Sequence, residues 1–68
     1  MLLLPVLAQL VISSREKLLL TQAEVAELAG VSLRTIRAIE AGQANPGLRQ
    51  LNHILDVLGL SLVVQLKV

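Results

Sequence analysis

The chain has no cysteine and no aromatic residue, and only 16% of its 68 residues are charged. Without cysteine, no disulfide can staple so short a chain, and a thiolate zinc cluster is excluded. Without Phe, Tyr or Trp, there is no flat side chain on which the bases of a single strand could stack. His53 is the only histidine. It precedes Asp56 by three residues, and two ligands do not make a metal site. This residue set points away from an enzyme and implies no cofactor. A net charge of +1 is too small to hold nucleic acid by bulk attraction, so the placement of the basic residues must decide.

Apolar side chains are abundant instead, at 54% of the sequence. A chain this small has room for one core only, and that excess is most economically buried against a partner, which suggests a homodimer. The opening Met1–Ile12 is apolar but shorter than a membrane span. Pro5 and Gln9 interrupt it and no basic start precedes it, so it reads as a first helix with its lead-in. On that reading the chain has no membrane partner and is cytoplasmic.

The periodicity predicts four helices. Helix 1 spans about Val6 to Leu18, with Pro5 in its first turn and Leu7, Leu10, Val11, Ser14 and Leu18 along one side. Thr21 and Glu24 form a capping-box pattern that starts helix 2, which runs to Ala29 and stops at Gly30. Val25, Ala26 and Ala29 face inward. Ser32 caps helix 3, about Leu33 to Ala41, where Ile36 and Ile39 make a thin apolar stripe and Gly42 ends it. After a loop rich in turn residues, helix 4 spans about Leu48 to Leu58, with Leu48, Leu51, Ile54, Leu55 and Leu58 at core spacing and Gly59 closing it.

The tail changes period. Leu62, Val64, Leu66 and Val68 alternate with Val63, Gln65 and Lys67, the pattern of one β-strand. A lone strand leaves its backbone groups unpaired, so it is expected to pair with its copy across a dimer, with Leu62, Val63, Val64 and Leu66 as the dimerisation residues. The chain thus divides into a helical unit, 6–59, and a dimerisation strand, 60–68.

Thr21 to Gly42 is two short helices joined by a tight Gly-Val-Ser turn, a geometry that projects the second helix outward at a size that fits the DNA major groove. Arg34 and Arg37 are then placed to meet DNA, through a guanine edge or a phosphate. Leu33 suits a thymine methyl or partial burial. Glu40 follows Ile39 near the inner side of its helix, and a buried carboxylate needs a partner.

These residues resemble the lambdoid-repressor-like, or Xre/Cro, helix-turn-helix family. The likeness rests on Arg15, Leu20-Thr21-Gln22-Ala-Glu-Val-Ala26, Ala29-Gly30-Val31-Ser32, Thr35-Ile36, Ile39-Glu40-Ala-Gly42, Asn45-Pro46 and Leu48, and covers roughly Leu10 to Leu58. It implies a mainly α, lambda-repressor-like four-helix domain that binds double-stranded DNA and represses transcription. By the same resemblance, Gln22 holds a phosphate, and Ser32, Leu33, Arg34 and Ala38 face bases or backbone. Arg37 contacts phosphate, and Gln43 and Asn45 approach the backbone from the loop before helix 4. Arg15 and Glu40 match a largely internal salt bridge between helices 1 and 3. Free amides near Gly47 and Leu48 also suit a phosphate.

The chain departs from the family at Leu19, where a glycine is usual, and beyond helix 4, where a strand is expected in place of a fifth helix. The second departure resembles the HipB-type antitoxins. That likeness implies autoregulation of a toxin-antitoxin operon, a palindromic operator and a HipA-like kinase toxin as partner. The competing reading is a protein-interaction module that keeps the fold and binds a partner without DNA.

Overall fold

The computed structural model describes residues 3–43, 46–63 and 65–66. Four helices follow in chain order: α1, Leu3–Lys17; α2, Gln22–Ala29; α3, Leu33–Glu40; and α4, Leu48–Val57. α1 starts earlier than its periodicity suggests and takes Pro5 into its first turn. The missing N–H is harmless there, because the first four amides of a helix have no intrahelical acceptor.

Local chemistry sets the helix starts. The Thr21 side chain accepts from the Glu24 N–H at 3.0 Å, while the Glu24 carboxylate accepts from the Thr21 N–H at 2.8 Å. That backbone hydrogen bond, with help from the Thr21 side chain, holds the Glu24 carboxyl below its ordinary range. Ser32 caps α3 by accepting from the Thr35 N–H at 3.1 Å.

All four helices end on one closure, in which a pair of amides folds back onto the last-turn carbonyls. In α2 the Gly30 N–H reaches the Glu27 carbonyl and the Val31 N–H reaches that of Ala26. The same pair of bonds recurs after α3 and α4. The residue at the bend must be left-handed, and glycine occupies it at positions 30, 42 and 59. After α1 the occupant is Leu19, at φ 58°, with its Leu19 N–H to Glu16 and Leu20 N–H to Arg15 bonds intact. A side chain in this region costs about 1–2 kcal/mol.

Leu19 recovers little of that cost, because it is 89% exposed. Leu19→Gly is therefore expected to stabilise the domain by about 0.5–1 kcal/mol, the relieved strain less the extra freedom glycine gives the unfolded chain. Thermal melts of the two proteins check this, and a lowered midpoint would contradict it.

The core gathers Val11 of α1, Val25, Ala26 and Ala29 of α2, Ile36 and Ile39 of α3, and Ile54 and Leu58 from α4 and its end. Ala26 and Ala29 are small, so α2 lies close to its neighbours. Leu20, Val31 and Leu33 pack at the margin of this cluster.

Three expectations about the inner faces need correction. Leu10 and Leu18 are about half exposed, at 48% and 49%, and Leu48 is 64% exposed. α1 is turned so that Ala8 and Val11 are its buried residues, and Leu10 lies to one side. Helical spacing put Leu10 and Val11 on one side, but only the neighbouring helices decide which edge of that side they cover.

The expected strand also needs correction. Among the described residues of the tail, none is in a strand; Val64, Lys67 and Val68 lie outside them. After the Gly59 bend the Leu60 N–H bonds to the Leu55 carbonyl at 2.8 Å, which turns the chain back. Leu60 and Leu62 then line a groove beside α1 and α4. Leu62, Val63 and Leu66 remain 47%, 69% and 94% exposed, so this return covers the tail's apolar side chains only in part.

Candidate nucleic-acid interface

α3 is eight residues long with two opposed faces. Ile36 and Ile39 are completely or almost completely buried. At about 100° per residue, the direction opposite their midpoint is that of Arg34, flanked by Arg37 and Ala38. Arg34 and Arg37 are exposed and Ala38 is half-buried. The packing of two isoleucines thus aims two guanidinium groups outward.

Among the described residues, Arg15–Glu40 is the only ion pair, so neither Arg34 nor Arg37 is engaged by a carboxylate there. Acidic side chains gather elsewhere. Glu27 and Asp56 line a shallow hollow of about 500 Å³ between α2 and α4, together with His53, and α3 contributes nothing to it. No group of three or more His, Cys, Asp or Glu side chains that could hold a metal occurs among the described residues. Among the described residues, the two arginines of α3 are thus without a carboxylate partner, and Glu27 and Asp56 lie away from them between α2 and α4.

Arg15 and Glu40 hold α3 in place. Arg15 Nε donates to Glu40 Oε2 at 2.7 Å and Arg15 Nη2 donates to Oε1 at 3.0 Å, a two-point pairing. The third guanidinium nitrogen, Nη1, donates to the Leu20 carbonyl at 3.0 Å. Gln22 Nε2 donates to the same Glu40 Oε1, also at 3.0 Å. The two charged side chains keep only 15% and 7% of their surface. The hydrogen bond from Arg15 to Glu40 raises the arginine further above its already high ordinary value, although burial opposes this. Arg15 and Glu40 together therefore tie the end of α1, the turn after it, the start of α2 and the end of α3.

The other candidate residues fall as follows. Ser32 is exposed, and its hydroxyl lies 2.8 Å from that of Thr35. Leu33 is half-buried and packs against the core cluster, so it is in part a packing residue. Gln43 is exposed in the loop after α3, and Asn45 lies outside the described residues. Gly47 caps α4 without a side-chain hydrogen bond, which leaves amides at that end unclaimed by a cap. Reading residue by residue missed the Gln22–Glu40 bond. A glutamine at the first position of α2 signals a helix start, and only the docking of α1, α2 and α3 brings Glu40 to it.

A capped helix, a tight turn and a second capped helix, with buried isoleucines beneath and free arginines above, define a helix-turn-helix domain of the type that reads duplex DNA. The chain belongs to the HTH_3 family, Helix-turn-helix, which matches residues 12–65. This is a family of DNA-binding regulators. No curated protein and no solved structure matches the chain. No helix among the described residues is long and apolar enough to cross a membrane.

Proposed function

We propose that the protein is a sequence-specific repressor that binds double-stranded DNA as a homodimer on a palindromic operator. In this reading α3 enters the major groove, Arg34 meets a base edge, and Arg37 meets phosphate. Ser32, Leu33 and Ala38 border the bases, Gln22 supports the backbone contact, and Gln43, Asn45 and the open amides near Gly47 meet the flanking phosphates. One observation carries it: two exposed guanidinium groups, without a carboxylate partner among the described residues, on the side of α3 opposite its buried isoleucines. For a two-fold dimer the half-sites lie about one helical turn, roughly 34–36 Å, apart.

A finer reading, in which the protein represses its own toxin-antitoxin operon and binds a HipA-like kinase toxin, rests on the sequence resemblance to HipB-type antitoxins alone, since the described tail residues form no strand. The site that is recovered tests this, since it should lie beside the protein's own gene.

Titration of genomic DNA fragments with the wild-type chain, Arg34→Ala and Arg37→Ala tests the DNA reading. Arg34→Ala is expected to lose about 1–3 kcal/mol and to relax preference at one base position. Arg37→Ala is expected to weaken all sites alike and reduce the salt slope by about one unit. No selectivity at low salt with any of the three chains would leave the interaction-module reading in its place.

A further inference from the structure

A groove of about 410 Å³ runs between α1, α4 and the tail. Its walls include Leu7 and Leu10 of α1, Leu48 and Leu51 of α4, and Leu60 and Leu62 of the tail. Among the described residues, Ser61 is the only polar one that lines it and no charged one does; α2 and α3 contribute nothing. Val6, Leu10, Leu48 and Leu62 line it while remaining 55%, 48%, 64% and 47% exposed.

We infer that this groove is the seat of a second copy of the chain, packed about a two-fold axis with its own α1–α4 face and tail. The inference rests on the dimeric DNA-binding reading and gives that dimer its surface. The area argues for it. The four open lining residues expose on the order of 400 Å² of apolar surface, within the range of the largest patch on a typical monomer, which is often functional. Val63 and Leu66, farther along the tail, are 69% and 94% exposed. With them the apolar surface reaches on the order of 600 Å², most of the roughly 800 Å² per partner that a stable dimer buries.

Charge and symmetry choose the occupant. The described lining carries no charge, so it offers nothing to a phosphate backbone or to a charged peptide. A two-fold interface must be complementary to itself, and an apolar patch meets this requirement with no like charges brought together. Because α3 stays outside the groove, both copies keep Arg34 and Arg37 open when the groove is covered. The surplus apolar residues of α1 and the tail thus receive one explanation.

Sedimentation of the full chain across the micromolar range tests this with Leu10→Glu, Leu48→Glu and, as a control, Leu28→Glu. Leu28 is 63% exposed and lies outside the groove. The wild type and Leu28→Glu are expected to dimerise alike, while each groove variant dissociates at roughly 30-fold higher concentration or more. Helical circular dichroism should be unchanged. Should a glutamate variant fail to fold, Leu10→Ser and Leu48→Ser are expected to shift in the same direction.

A wild type that stays monomeric overturns the inference, as do groove variants that dimerise like the wild type, or a Leu28→Glu chain that dissociates as they do. A monomer that selects one DNA site would remove the groove dimer and leave the DNA reading standing. A dimer broken by the groove variants, with no DNA selectivity, would do the reverse. A groove that takes only another protein, with the chain itself monomeric, counts against the inference.

Discussion

Replacing Glu40 with alanine is expected to lower the unfolding free energy by roughly 1–3 kcal/mol, because it leaves the largely covered guanidinium of Arg15 without its counter-charge. A domain of this length is stable by only about 3–10 kcal/mol, so the variant gives up a large share of its margin. Arg15→Ala should be similarly damaging, since it strands the Glu40 carboxylate and frees the Leu20 carbonyl. The double variant Arg15→Met/Glu40→Leu should recover most of the loss, since it removes both charges and keeps the volume. Urea denaturation of the four chains checks the set. A loss below about 1 kcal/mol for both single variants would mean that the pair behaves as a surface contact. Because the folded arginine is raised, its contribution is complete below the ordinary arginine range and is lost only above it. The pair therefore shows no titration of Arg15 at working pH.

Ile36→Ala is expected to cost about 2–5 kcal/mol, and Ile36→Val only about 0.5–1.5 kcal/mol. Ile36 is fully buried and is among the largest such side chains of the domain. Truncation leaves a cavity beneath the middle of α3, where the packed α1 and α2 cannot easily close it. The functional signature differs from that of Arg34→Ala. At a temperature where Ile36→Ala remains folded, each folded molecule should bind DNA as the wild type does, because the outward face is intact. A loss of DNA affinity larger than the unfolded fraction explains would show that Ile36 also sets the pitch of α3. Circular dichroism melts and DNA titrations on the same samples separate the two.

Much of the helix-turn-helix unit was legible in the residues because its signals are local. The Thr21–Glu24 box, the Ser32 cap and the stop at Gly30 each act over a few bonds, and the observed α2 and α3 agree with them to within one residue. The outward placement of Arg34 follows from two isoleucines three apart, which is again a short-range pattern. Leu19 was conspicuous in sequence as a leucine where relatives use glycine, and it adopts the left-handed bend that makes the choice costly.

The sequence by itself determined where α2, α3 and α4 start and stop and which face of α3 is buried, because caps, bends and periodicity are contests settled among neighbours along the chain. Tertiary structure alone decided the rest. It turned α1 to bury Ala8 and Val11 and leave Leu10 at a groove edge, brought Gln22 to Glu40, and folded the tail back instead of extending it. Each of these depends on which distant side chain arrives to share a surface or a hydrogen bond. That cannot be read from spacing, because the same spacing serves a buried face, a groove wall or an interface equally well.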